Sequence, residues 1–342
     1  MSFSTNELSN LKLDAWDDYV MRTPQSTFFH LSGWSSVLNA SLSHRAHSVY
    51  AESNGTIVGI LPLVEMRSRL FGHTLSSSPF CVSGGVVADN PDVAKELTEL
   101  ACRKARQLGV DSLELRGGGE PGPDWLTKDL YVNFRRELAD NDDENMKAIP
   151  RKQRAVVRKS IASDLLSEPC ENVDRFFSIY AESVRNLGTP VFSKRLFHTL
   201  RHTFGDDCRM LMVTKEGRDV AAVMSFYFRG EVLPYYGGGI SEARGMRAND
   251  FMYWELMRRA TAEGIRFFDY GRSKIGSGSY SFKKNWGFEP LPVPYHYHLI
   301  RSKSMPEINP NNPKYKMAID TWKRLPLPVA NTLGPMLSRT LG

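Results

Sequence analysis

Cysteine is scarce in this chain: four residues in 342, at positions 81, 102, 170 and 208, and no CxxC pair. That scarcity excludes a disulfide scaffold and a cysteine-built zinc site. No apolar run approaches the roughly 20 residues that span a bilayer. The opening stretch, MSFSTNELSNLKLDAWDDY, lacks the basic-then-apolar order of a secretory leader, so a cytoplasmic protein is expected. Nucleophile signatures are missing as well. There is no GxSxG elbow, no cysteine in a cysteine-enzyme context, and no HExxH spacing among the eight histidines. His296 and His298, on one face of YHYHL, read as structural, and no residue is assigned to a metal.

What is present suits a soluble globular chain: 41% hydrophobic and 24% charged residues, enough for two domains with their own cores. The net charge of +6 favours an anionic partner, whether a phosphorylated cofactor, a nucleic acid or an anionic membrane face.

One sequence of elements occurs twice. Tyr50–Met66 alternates apolar residues around an Asn-Gly turn, and an amphipathic helix near Pro91–Gln107 ends at Gly109, before the strand Val110–Arg116. In the second half, Met210–Phe228 repeats the strand, charged turn and strand. Val232–Ile240 then leads to a helix near Asn249–Ala262, closed by Gly264 and followed by the strand Ile265–Arg272. Gly85 and Gly109 stand 24 positions apart, and Gly239 and Gly264 stand 25 apart. The pattern predicts an α/β fold built from two copies of one unit; two unrelated α/β domains are the alternative. The expected boundaries are 1–145, 146–300 and a Pro-broken tail, 301–342.

Between the copies, Lys147, Arg151, Arg154 and Arg158 step by helical intervals, which predicts one basic face, with Val156, Val157 and Ile161 free to pack. Such a stripe is either a solvated face or a dock for phosphates. In the tail, Pro326 and Pro328 interrupt any helix, and VANTLGPMLSRTLG packs on the body or a second subunit, or rests on a membrane surface.

Two stretches carry the chemistry. YYGGGISEARGMRAND runs from a strand into a Gly-rich turn and a helix, a layout that offers backbone N–H groups to a phosphate, with Arg244 and Arg247 adding charge. FDYGRSKIGSGSYSFKKNWGF sets Asp269 in a strand, then a Gly/Ser loop, then Lys283 and Lys284 between Phe282 and Trp286. Lys283 is either a surface lysine lying along its stem or an ammonium held in a dry pocket. In the second case it suits an oxyanion formed during acyl transfer to an amine. Asp269 then accepts a proton or holds a cation such as Arg272; otherwise it is a turn acid.

LPYYGGG, ANDFMYWELMRRATAEG, FFDYGRSKIGSGSYSFKKNWGFEP and PRKQRAVVRKS together resemble the Fem family of aminoacyl transferases. The likeness is greatest to the FemAB-related proteins associated with PEP-CTERM/exosortase and exopolysaccharide loci. The resemblance implies two tandem GNAT-like domains and transfer of an acyl or aminoacyl group to an amine without a covalent enzyme intermediate. It implies that Phe282 and Lys283 line the reaction channel, with Lys283 stabilising the oxyanion. On this reading Lys283, Asp269 and Phe282 are the catalytic candidates. Tyr235, Tyr236, Arg272, Tyr280, Trp286 and Trp34 are the candidates for substrate contact. Arg151, Arg154, Arg158, Lys159, Gly238 and Gly239 are the candidates for holding the donor phosphates. No tightly bound cofactor is implied. The co-substrate is acyl-CoA or an aminoacyl-tRNA, and the acceptor is a small or lipid-linked amine of a cell-envelope or exopolysaccharide precursor. The helical coiled-coil arm of the tRNA-dependent members is absent, which weakens the tRNA alternative. A non-catalytic glycan- or partner-binding module is the third reading.

Overall fold

Asn54 and Gly55 turn the chain as their residue types demand, with φ of +50° and +79°, and join the antiparallel strands Val49–Ser53 and Thr56–Leu61. Past Pro62 the chain leaves for another sheet as Val64–Ser68, so the run that reads as one hairpin supplies three strands in two sheets. The computed structural model describes residues 3–68, 72–118, 122–305 and 313–340. The chain divides into two units: 1–131 with 292–308 and 339–342, and 132–291 with 309–338.

The first unit contains a four-stranded and a six-stranded sheet. Its helix Pro91–Leu108 is capped at its start by the Asn90 side chain and stopped by Gly109 at φ +63°. Leu97, Ala101 and Ala105 on one helix face share a core with Val49, Leu61, Leu75 and Leu113. The chain returns as Ser112–Arg116, parallel to Gly72–Ser76.

The second unit repeats this order. The hairpin Cys208–Lys215/Arg218–Phe228 leads to the strand Glu231–Gly239. The helix Ala248–Ala262 then crosses, and Phe267–Lys274 returns parallel to Glu231–Gly239. A helical crossover is the ordinary way to join parallel strands, and each unit has one at the corresponding place. The α/β duplication expected from the sequence is therefore present.

The unit boundaries differ from those expected. Tyr131–Glu137 joins the second unit's seven-stranded sheet, between Phe267–Lys274 and Pro290–Pro292. Tyr295–Leu299 joins the first unit's sheet, antiparallel to Ser112–Arg116 and Leu126–Lys128. Each unit thus completes its sheet with a strand from outside its own half of the sequence. Sheet pairing at long range decides this, and no local pattern reports it.

The basic segment also departs from the expectation. Ile149-Pro150 splits it into the helices Asp142–Ala148 and Arg151–Ile161, because proline disfavours helix at the residue before it. Lys147 therefore does not share a helix with the three arginines. Val157 is buried, but Ile161 is 44% exposed. In the tail, Pro313–Arg324 and Leu327–Ser338 are separated at Leu325–Pro326 as Pro326 suggests, whereas Pro328 sits in the first turn of the second helix, where proline is tolerated, and does not interrupt it; both helices belong to the second unit. Among the described residues no helix is long and apolar enough to cross a membrane.

Candidate active site

Within the second unit, Glu231–Gly239 and Phe267–Lys274 are nine and eight residues long, yet their register holds at only two positions. Glu231 faces Phe267 and Val232 faces Phe268; beyond these the parallel strands part. On its other side Glu231–Gly239 carries a bulge: Met224 faces Tyr236 and Ser225 faces Pro234, leaving Tyr235 as the extra residue.

Lys283 reaches one side of this opening. Ser277 caps the helix Gly278–Asn285 by accepting the Tyr280 N–H, and Lys283 is the helix's buried residue. Its Nζ donates to the carbonyl oxygens of Gly271 and Arg272 at 2.8 and 3.0 Å. Both carbonyls are presented by a kink at Gly271, whose φ is +72°. Burial pushes the Lys283 ammonium down to about 7, Asp269 opposes that shift, and Arg272 adds to it. An ammonium has three donors; two are committed to carbonyls, and one remains for a ligand.

The ring facing this ammonium is Phe134, 5.6 Å away, rather than Phe282 or Trp286. Phe282 instead packs with Tyr253, Tyr270 and Trp286, at centroid distances of 5.6, 6.3 and 6.2 Å. For Phe282 the reason is helical geometry, since consecutive residues point about 100° apart; Trp286 stands at the helix C-cap and packs with Tyr253 and Tyr270.

Asp269 is buried, with Oδ2 accepting from Asn133 at 2.8 Å and Oδ1 from the Gly271 N–H at 2.7 Å. Its cation is therefore the neighbouring Lys283, which draws on the same charge. Glu231 and Asn133, both absent from the sequence-based candidates, meet Asp269 from the flanking strands. Burial first, and the Asp269 charge second, push the Glu231 carboxyl up to about 7, against the pull of Arg135 at 2.9 Å. The only local hint of Glu231 was its place at the start of a strand, and Asn133, third of seven in its own strand, carried none.

On the donor side, Gly237–Gly239 lie in the strand itself, and the turn begins after them. A Cβ on Gly238 would land on Ser183 of the helix Val173–Leu187, and one on Gly239 would sit 2.5 Å from Ala243. These glycines admit close packing. The helix Ala248–Ala262 starts without a side-chain cap, behind Arg247 at φ +57°. Its counterpart in the first unit, Pro91–Leu108, is already capped by Asn90 and flanked by Asp89 and Asp92. A cavity of about 800 Å³ lies beside that counterpart, but among the described residues Lys95 is its only lysine or arginine, so it suits a phosphate poorly. The returning strand there also differs, since Glu114 and Arg116 form a buried ion pair.

The remaining candidates are spread out. Arg151, Arg158 and Lys159 are exposed and, among the described residues, without an ion-pair partner. Arg154 instead caps the preceding helix, donating to the Lys147 and Ile149 carbonyls at 2.7 and 3.0 Å. Tyr280 is half-buried, edge-on to Phe134 at 5.4 Å, and Arg272 is half-buried beside the kink. Tyr235 is half-buried at the bulge, and Tyr236 is buried against Tyr180 and Phe197. Trp286 is fully buried. Trp34 lies in the first unit's core, its indole donating to the Pro79 carbonyl at 3.2 Å. Both tryptophans occupy packed interior rather than a surface a ligand reaches. The four cysteines are free and buried, and among the described residues no cluster of metal-ligating side chains is found.

Residues 145–284 match the acetyltransferase (GNAT) domain family. No curated protein matches the sequence. Solved structures of similar fold include FemX, with a TM-score of 0.69 at 13% identity over 87% of this chain and 98% of that one. A tandem GNAT protein from the clavulanic acid biosynthesis pathway gives 0.56 at 13% identity, over 89% of this chain and 100% of that one. A GCN5-related glucosamine N-acetyltransferase region of a fungal multi-domain GH3 β-N-acetylglucosaminidase gives 0.50 at 13%, over 86% and 38%. The fold is that of two tandem GNAT-like units, and the chain is an acyltransferase.

Proposed function

We propose that the protein is an N-acyltransferase that moves an acyl group from acyl-CoA to an amine on a cell-envelope or exopolysaccharide precursor. The amine nitrogen attacks the thioester carbonyl, and the C–N bond forms as the carbonyl oxygen gains an electron pair. The C–S bond then breaks, and the proton lost by the amine ends on the departing thiol. Lys283 stabilises the oxyanion with its uncommitted N–H. One such donor in a water-poor site contributes about 3 kcal/mol of transition-state stabilisation. Asp269 supplies the counter-charge that keeps Lys283 protonated. The observation carrying this reading is a buried lysine anchored at the kink where two parallel strands separate. The uncapped start of Ala248–Ala262, with Arg244 exposed beside it, supports a donor bearing phosphates.

The acceptor is placed among envelope precursors on the likeness to the FemAB-related proteins of PEP-CTERM/exosortase loci. The same likeness favours a cytoplasmic protein working at the inner face of the membrane. Val329, Leu333 and Met336, exposed on one face of Leu327–Ser338, support peripheral contact there.

A second reading exchanges the donor for an aminoacyl-tRNA. It is favoured by the exposed Arg151, Lys152, Arg158 and Lys159 on one helix. A panel of acyl-CoAs and charged tRNAs, each tested for protection against thermal unfolding, separates the two. The first reading expects a shift of several degrees with one acyl-CoA class. A shift seen only with charged tRNA, and abolished by salt, overturns it in favour of the second.

A further inference from the structure

Glu231 has no part in the reaction as written, yet its surroundings are unusual. It opens the strand Glu231–Gly239, and its carboxyl is mostly buried, with 18% of the side chain exposed. Arg135 approaches from the strand Tyr131–Glu137, with Nε 2.9 Å from Oε2, and Arg229, in the turn before Glu231, also feels the Glu231 charge. Asp269 lies on the other neighbouring strand and is hydrogen-bonded to Glu231. Behind Asp269 stand Asn133, the Gly271 N–H and Lys283, and Arg272 stands beside Lys283. Two carboxylates at hydrogen-bond distance in a buried place do not both ionise, so one proton is held between them.

The position of that proton matters. The two strands are in register only at Glu231–Phe267 and Val232–Phe268, and Asp269 is the first residue past the last rung. We propose that the proton shared by Glu231 and Asp269 is a clasp that ties the two strands together where they part, making Glu231 a positioning residue for Lys283. With the proton in place, Glu231 donates to Asp269. Asp269 holds the Gly271 N–H, and the kink so fixed aims the two carbonyls that anchor Lys283. Loss of the proton sets two negative charges side by side across the junction and loosens that chain of contacts. Burial and the Asp269 charge outweigh Arg135, whose own side chain is 36% exposed and screened by water.

The inference rests on the proposed function only in what it says about catalysis; the clasp itself is measurable without substrate. The folded protein keeps the Glu231 proton up to about 7, whereas the unfolded chain releases it near 4.5. The contribution of Glu231 to stability is thus full below 4.5 and is lost as pH rises through 7. Glu231→Gln carries a permanent donor and lacks this dependence. Urea unfolding of the full chain at pH 5 and pH 8 reads the difference. The ratio of wild-type to Glu231→Gln unfolding constants is expected to rise on the order of fiftyfold between the two pH values. Asp269→Asn, which removes only the second cause of the shift, serves as the second variant and should reduce the dependence in part, since burial still acts on Glu231. Equal pH slopes for wild type and both variants overturn the clasp. The positioning role is read separately, by the rate at which an amine-acylating reagent modifies Lys283, followed by mass spectrometry. Glu231→Ala should raise that rate several-fold and Glu231→Gln should not; identical rates in all three proteins overturn it. If no acyl-CoA supports turnover, the proposed function fails while both of these results stand.

Discussion

Lys283 and Gly271 form one unit of structure. The lysine Nζ lies 2.8 Å from the glycine carbonyl, and that carbonyl points where it does because Gly271 adopts φ of +72°. A residue with a Cβ adopts this backbone at a cost of about 1 kcal/mol or more.

Gly271→Ala should therefore lower stability by about 1–2 kcal/mol and reduce turnover by a larger factor than stability alone explains. Urea unfolding compared with kcat/KM tests this. If both fall together only because less protein is folded, the kink is structural and does not serve the lysine.

Lys283→Met should abolish most turnover while leaving the protein as stable as wild type, or more so, at pH 8. The sign follows from linkage. Lys283 titrates at about 7 in the folded protein and at 10.5 when unfolded, so the unfolded chain binds the proton more tightly. The resulting destabilisation grows as pH falls from 10.5 to 7, and reaches on the order of 5 kcal/mol below that. Two lost hydrogen bonds offset part of the gain. A steep drop in melting temperature at pH 8 would make Lys283 a structural residue.

Lys283→Arg tests the same group by pH. Under the proposed mechanism protonated Lys283 is the working form, so the wild-type kcat/KM should decline above about pH 7 as that proton leaves. A guanidinium keeps its charge throughout this range, and the variant's residual activity should lose that decline. An unchanged basic limb would assign it to another group.

Gly238→Ala should destabilise the second unit by about 1–3 kcal/mol, because the new methyl meets Ser183 on a packed helix. Ser183→Gly in the same chain should restore most of the loss. Rescue of folding together with full donor affinity would remove Gly238 from the phosphate-binding candidates.

The arginines of Arg151–Ile161 should separate by role. Arg154→Ala should cost about 1 kcal/mol, since it deprives two carbonyls of the preceding helix of their donor. Arg151→Glu with Arg158→Glu should change stability by less than about 0.5 kcal/mol. Under the tRNA reading the pair should also remove nucleic-acid binding, measured by filter retention at low salt; retained binding would detach this face from the donor.

Much of the architecture was legible locally. The Asn54-Gly55 turn, the Gly109 cap, Gly264 after the second helix and the prolines of the tail each act through their own backbone preferences, which operate wherever the residue stands. Lys283 was legible for a similar reason, as a cation set among apolar residues near a glycine kink. Its actual wall, Phe134, was not, because that residue arrives from a strand about 150 positions away. Glu231 looked like an ordinary acid at the start of a strand, and burial together with the Asp269 charge beside it raises its affinity for a proton.

The amino-acid sequence by itself determined most of the helices and strands, their recurrence as two α/β units, and the place of a lysine among apolar residues after a glycine kink. These follow from short-range preferences and from periodicity, which need no partner. Tertiary structure alone decided which strand completes each sheet, where the two parallel strands part, and which groups face Lys283. Those outcomes depend on hydrogen-bond pairing and desolvation between residues far apart in the chain, and their energies exist only once the chain has closed around them.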